Sequence, residues 1–452
     1  MGERVVIIGG SAAGLAAAGR ARRLRPDLNL VILEAGPVLG PPICSAPYAL
    51  SGEVAELSGL ARWKPEDLAE RRGIRAYLRT QVTALRPGQR QVIAKTQEGT
   101  QELRYDRLLL ATGYRARELP LPGAELAGVH QAARYQDYQA LLSDAPPGGA
   151  HAVVIGGGYI GLEMVEALIR RGLRVTLFEK SGALLPMVDP ELSPLIQAEL
   201  ARHGVEVRLS ETIVGFQGSS AGRLEGVHLR GPTPPLSCQL AVVCVGVVPE
   251  TDLARSAGIA LGKSGAIAVD ERQRTSAPEV FAAGNCAEVR HRTSGQPLFL
   301  PLATVAVQQG RVAGDSLAGR PTAHPGAVGS AVLRIFDLTV AGAGLTRGQA
   351  EAAGFRVEVS EVEVSARARG FGTEPVRVRL LIERRGGRLL GGQLIGGASC
   401  AHRINILATA LAGGWTAEQL GELDFAYAPP YGPVSDPLGI AARAAARLAT
   451  RG

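Results

Sequence analysis

Ala152-Val153-Val154-Ile155-Gly156-Gly157-Gly158-Tyr159-Ile160-Gly161 decides how this chain is read. Four apolar residues in a row predict a short strand buried on both faces, and the glycines predict a tight turn into a helix that runs on to Arg171. Small residues let the backbone approach a pyrophosphate, whose charge the free N–H groups of the helix start would meet. A strand from Val175 to Phe178 follows and ends at Glu179. A carboxylate there accepts hydrogen bonds from an adenosine ribose and repels a 2′-phosphate. The unit therefore predicts a nicotinamide dinucleotide, NADH rather than NADPH, held by Gly156, Gly158, Tyr159, Ile160, Gly161 and Glu179.

The N-terminus carries a second copy. Strand Val5 to Ile8 enters the turn Gly9-Gly10-Ser11-Ala12-Ala13-Gly14, a helix of small residues follows from Leu15 to Leu24, and strand Leu30 to Leu33 ends at Glu34. Ser11 replaces the usual second glycine, and an ordinary tight turn gives the same pattern. Matching closures favour a working site: Leu108 to Leu110 leads into Ala111-Thr112-Gly113, and Val242 to Val245 leads into Gly246 with Pro249 beyond. Thr275 to Asn285, ending Ala283-Gly284-Asn285, then returns the chain to the first unit.

Composition is that of an ordinary globular protein, with 46% hydrophobic and 20% charged residues in a 452-residue chain long enough for two or three domains. The net charge of +7 comes from arginines spread along the chain, which speaks for a small polyanion over nucleic acid. No basic leader and no apolar run of about 18 residues is present, so a cytoplasmic protein free of membrane contacts is expected. Cys44, Cys238, Cys244, Cys286 and Cys400 are odd in number and scattered. Neither a disulfide framework, a Cys-x-x-Cys pair nor a metal site follows from such spacing.

Together these segments resemble the FAD-dependent pyridine nucleotide-disulfide oxidoreductases over essentially the whole chain. The resemblance implies an α/β fold with two Rossmann-like domains and a C-terminal α+β dimerisation domain. The FAD domain is expected at 1–113 and 248–325, the NAD domain at 114–247, and the dimerisation domain at 326–452. It implies FAD on Gly9, Ser11, Ala12, Ala13, Gly14, Glu34, Thr112, Gly113, Gly284 and Asn285, with Asn285 where the family has aspartate. Gly246 belongs to the expected nicotinamide side.

Cys44, in the loop after Glu34, reads by itself as a small buried apolar residue. Its place beside a bound cofactor and ahead of a helix, whose N-terminus would stabilise a thiolate, turns it into a candidate redox nucleophile. Cys44-Ser45-Ala46-Pro47-Tyr48 also resembles the single redox cysteine of the coenzyme A-disulfide reductase and NADH oxidase branch. Phe425 to Gly432 resembles the segment that reaches across that branch's homodimer, with Tyr427 in the catalytic role. Arg20 and Arg23 stand where the branch contacts the substrate nucleotide, or on a solvated helix face. Gly40, Ile43, Ser435 and Phe371 depart from the pattern of the coenzyme A enzymes. Ala12 replaces the histidine of the oxidases and peroxidases, which favours a disulfide or persulfide substrate over peroxide. The expectation is an NADH-dependent reductase of coenzyme A disulfide or a related small disulfide or persulfide. The alternatives are an NADH oxidase, or a flavin- and NADH-binding redox sensor with little turnover.

Overall fold

The computed structural model describes residues 2–449 apart from 55, 62 and 321. Strand Arg4–Ile8 occupies the middle of a five-stranded sheet ordered Val280–Ala282, Arg107–Leu110, Arg4–Ile8, Asn29–Leu33, Arg75–Tyr77. Every neighbouring pair is parallel. Burial on both faces explains why these strands are continuously apolar instead of alternating. Val5 and Ile7 pack on helices Ala12–Leu24 and Ala303–Leu317, and Val6 and Ile8 pack on the opposite side with Leu85 and Val92.

The small residues of helix Ala12–Leu24 have a direct cause. A Cβ on Gly310 would overlap the Ala13 carbonyl oxygen, and one on Gly314 would lie 2.6 Å from that of Ala17. The two helices meet almost backbone to backbone. The first helix starts at Ala12, about one turn before the Leu15 expected from its apolar pattern, with the buried Ala13 and Gly14 in its first turn.

The second sheet repeats the arrangement in the order Glu206–Leu209, Arg174–Glu179, His151–Ile155, Leu240–Val243, Val129–Gln131, again parallel. The chain passes between the two units twice, and the two crossings pair antiparallel as Tyr114–Ala116 with Val247–Pro249. A third, antiparallel sheet is ordered Ala331–Ile335, Leu338–Gly344, Leu389–Gly396, Pro375–Glu383, Val357–Ser365. Helices Cys400–Gly413 and Pro437–Ala449 pack on it. The start of the first of these is anchored, since Cys400 and Arg403 are buried and Asp436 holds Arg403 at 2.8 Å.

A buried ion pair fixes this sheet to the second unit. Asp189, with no exposed surface, accepts from Arg379 Nε at 2.7 Å, while the other guanidinium nitrogens reach Glu191 at 3.0 Å and Glu361 at 2.7 Å. The second Asp189 oxygen accepts the Arg347 N–H at 2.8 Å. No helix among the described residues is long and apolar enough to cross a membrane. Because removing one partner strands a buried charge, Arg379→Met is expected to lower stability by about 3–5 kcal/mol. Denaturant unfolding of wild type and variant measures the loss.

Candidate functional site

The two glycine turns are built alike. Gly9, at φ +106°, and Gly156, at φ +109°, cross the ends of neighbouring strands so tightly that a Cβ would overlap the carbonyl oxygens of Ala111 and Cys244. Gly14 and Gly161 leave the same lack of room against the Gly9 and Gly156 carbonyls. Each turn is then tied to its acidic residue. Glu34 accepts the N–H groups of Gly10 and Gly36, both at 2.6 Å. Glu179 accepts those of Gly157 and Ser181, both at 2.8 Å. Both carboxylates are held at the strand ends where the sequence puts a ribose.

In the first unit the Ser11 side chain caps no N–H of its own helix, which leaves its hydroxyl available to a ligand phosphate. Ala12 and Ala13 form the first turn of that helix. Thr112 donates its hydroxyl to the Glu250 carbonyl at 2.6 Å and Gly113 turns at φ +77°. Gly284 turns at φ +85° with Ala13 Cβ 2.7 Å from where its own Cβ would lie, so the return segment presses on the helix start. Next to it the Asn285 Oδ1 is buried without a hydrogen-bond partner. A buried acceptor without a donor is costly, and a ribityl hydroxyl is a donor of the right kind. These residues fit FAD. In the second unit Gly158 caps helix Tyr159–Arg170 with open space where a Cβ would be, and Ile160, Glu179 and Gly246 border the same cavity.

That cavity, about 1670 Å³, is lined by the second and third sheets, the loop that carries Cys44 and the start of helix Ala303–Leu317, and brings Cys44 together with Tyr48, Tyr114, Tyr159 and Glu163. Cys44 lies in the single turn Ile43–Ser45 ahead of the short helix Ala46–Ser51. It is the one exposed cysteine of the five. The expected thiolate stabilisation by the helix is not what the surroundings produce. Burial raises the Cys44 thiol, the Glu163 carboxyl raises it further, and a backbone hydrogen bond opposes them. The side chain meets solvent through the cavity, yet the walls crowd it enough to disfavour charge. Burial also raises the other four thiols, to about 12 for Cys238, Cys244 and Cys400.

Glu163 escaped the sequence reading. It stands on the first turn and a half of the helix that follows the second glycine turn, and burial, with Glu166 next, pushes its carboxyl up to about 8. The signal was a carboxylate placed on the cavity side of a helix among apolar neighbours. Tyr159 donates its hydroxyl to the Val332 carbonyl of the third sheet, and burial raises its phenol. Helix Ala303–Leu317 also starts at the cavity wall, with Leu302, Ala303 and Thr304 lining it.

None of the first unit's predicted residues, Gly9, Ser11, Ala12, Ala13, Gly14, Glu34, Thr112, Gly113, Gly284 and Asn285, lines this cavity, and neither do Gly161, Arg20, Arg23 and Tyr427. Arg20 is paired through Nε with the buried Asp315 of helix Ala303–Leu317, and Arg23 is exposed on the outer side of its helix. Tyr427 is 47% exposed and does not line the cavity of its own chain. Glu199, His203 and Asp337 bring possible ligand atoms within 4.8 Å of one another. Arg202 already holds one Glu199 oxygen at 2.8 Å, the Asp337 N–H takes the other at 3.1 Å, and His203 stacks on Phe336 at 3.8 Å. That group reads as a contact between domains, not a metal centre.

The chain is similar to known proteins over most of its length. Residues 3–310 match the family model described as pyridine nucleotide-disulphide oxidoreductase, and residues 330–436 match the dimerisation domain of that family. The chain is 33% identical to the NAD(P)H sulfur oxidoreductase (CoA-dependent) of Pyrococcus abyssi, over 98% of both chains. It is 32% identical to an NADH oxidase of Methanocaldococcus jannaschii, over 97% of this chain and 98% of the other. The solved structure of an NAD-dependent persulfide reductase from A. fulgidus superposes with a TM-score of 0.94 at 32% identity, over 98% of this chain and 83% of that one.

The raised Glu163 carboxyl has a consequence for stability. Between the ordinary carboxylate range and about 8 the folded state binds a proton that the unfolded chain has lost, so this group's contribution falls as pH rises through that window. Glu163→Gln is expected to remove the decline and to be the more stable protein above pH 8, by roughly 1–3 kcal/mol after solvent screening. Denaturant titrations at acidic, neutral and alkaline pH compare the two.

Proposed function

The chain belongs to the pyridine nucleotide-disulphide oxidoreductases, enzymes that use FAD and NAD(P)H, and from that premise we propose that it reduces coenzyme A disulfide or a related small disulfide or persulfide through Cys44. The dimerisation domain suggests a homodimer. The observation that carries the reading is the sulfur itself: Cys44 alone among five cysteines is exposed, and it opens on the cavity that the second glycine turn also borders. The CoA-dependent relative and the persulfide reductase support the substrate class. The held Glu179 supports NADH over NADPH.

FAD, when bound, would supply the two-electron chemistry that couples NADH to a disulfide. Gly9, Ser11, Gly14, Glu34, Thr112, Gly113, Gly284 and Asn285 would hold it, and the Gly156–Gly161 turn with Glu179 would hold the dinucleotide. Cys44, as thiolate, attacks one sulfur of RS–SR; a Cys44–SR bond forms and RS⁻ leaves with the bonding pair. Two electrons then cleave Cys44–SR to two thiolates, so that NADH, one proton and RS–SR yield NAD⁺ and two RSH. Since the cavity raises the free thiol, a neighbouring base must take its proton in the first cycle. Glu163, the cavity carboxyl beside the thiol, keeps its own proton up to about 8 and takes that of Cys44 only as pH rises past this range. Tyr427 supports the reading differently: exposed on its own chain, it is free to approach a partner's site and protonate the leaving thiolate.

The presence of NADH oxidases among the relatives favours oxygen as a second acceptor. Ala12, in place of the histidine of that branch, favours the disulfide. Anaerobic NADH titration followed by optical spectra tests the role of Cys44. Wild type first treated with RS–SR and freed of the excess, so that Cys44 carries the Cys44–SR bond, is expected to take up about two more electrons per chain than Cys44→Ser treated alike before the flavin is fully reduced. Equal uptake with undiminished disulfide-dependent turnover in the variant would overturn the role of Cys44. Rapid oxygen consumption without added disulfide would identify an oxidase.

A further inference from the structure

Beside the large cavity lies a smaller one, about 240 Å³, between hairpin Val289–Leu298 and the third sheet with its helix Cys400–Gly413. Three arginines line it, Arg290, Arg292 and Arg388, and no acidic residue does. Thr293 lines it too, is 8% exposed, and its hydroxyl is buried with no hydrogen-bond partner. We propose that this cavity is a binding site for a phosphoryl anion, separate from both dinucleotide turns.

The bland explanation of such arginines is that they satisfy the carbonyls at the end of helix Cys400–Gly413. Only one does so: Arg292 Nη2 donates to the Ala412 carbonyl. Arg290 is exposed and has no ion-pair or hydrogen-bond partner for its guanidinium among the described residues. Arg388 is held in place by its stacking over Phe355, 5.3 Å from the ring centroid, and by a loose contact to Glu383 at 3.4 Å. Three positive charges therefore face a space with one weak counter-charge behind it, and a buried hydroxyl has a bond still to make. Planar guanidinium groups match phosphate oxygens in pairs, and a threonine hydroxyl donates to the same oxygens.

The site is not that of the dinucleotide diphosphates, because none of the glycine-turn residues lines it. It is not isolated from the chemistry either. Arg292, Pro325 and Ala412 form walls of both cavities, so an anion in the small one bears on the boundary of the large one. Two sources share this chemistry: a free inorganic phosphate or diphosphate, and the phosphate groups of a nucleotide-bearing thiol.

The test is calorimetric titration of the FAD-loaded protein, saturated with NAD⁺ so that the dinucleotide turn is filled, with inorganic diphosphate. One ion per chain is expected, with affinity falling as salt rises. Arg290→Ser and Thr293→Val should each weaken it roughly ten-fold, as loss of a charge-assisted hydrogen bond does. Arg290 is exposed, so its replacement leaves folding intact and a loss of binding reports on the site. Absence of saturable binding, or unchanged affinity in Arg290→Ser combined with Arg388→Ser, would overturn the proposal. Competition by coenzyme A but not by pantetheine assigns the site to a nucleotide-bearing thiol, and competition by neither assigns it to the free anion.

Discussion

The crossing of a glycine turn over a strand end is the constraint on which this structure depends. At Gly9 and at Gly156 the missing Cβ allows the turn to lie against the carbonyls of Ala111 and Cys244. Any side chain there would push strand Arg4–Ile8 away from Arg107–Leu110, or His151–Ile155 away from Leu240–Val243. Because those strands are parallel and buried, a shift of one carries the whole layer. The same closeness points the start of each helix at its ligand, so one steric requirement both packs the core and makes the binding site.

The third sheet turns two such units into one reaction vessel. Asp189 and Arg379 exclude water at the junction with the second unit, and the Tyr159 hydroxyl reaches the Val332 carbonyl across it. The result is a space closed by side chains that no single domain contains. Low exposure then governs the chemistry. Without a cation beside Glu163, its carboxyl holds its proton well above the usual range, and the Cys44 thiol is raised in its company. A cofactor or a disulfide entering this site would meet surroundings in which charge is disfavoured until a reaction partner compensates it.

The cysteines illustrate how position sorts identical side chains. Cys238, Cys244, Cys286 and Cys400 fill core volume and their thiols are raised by burial alone or nearly so. Cys44 stands in a turn that the following six-residue helix cannot extend over it, which leaves the sulfur facing the cavity. The difference is one of access.

The sequence by itself determined the two nucleotide-binding units and their order, and its resemblance to a family implied the third domain. Glycine spacing and buried-strand runs are local signals, and steric demands on the backbone are written within ten residues of where they act. It also singled out Gly156, Glu179 and Cys44 as candidate site residues. Only the tertiary structure decided what surrounds them. Glu163 joined Cys44 because helix packing brought residues far apart in the chain to one cavity. Arg20 turned to Asp315, and Tyr427 stayed outside its own chain's site, for the same reason. Ionisation followed suit: the expected lowering of the Cys44 thiol by its helix gave way to desolvation, which depends on every wall of the cavity and on no single stretch of sequence.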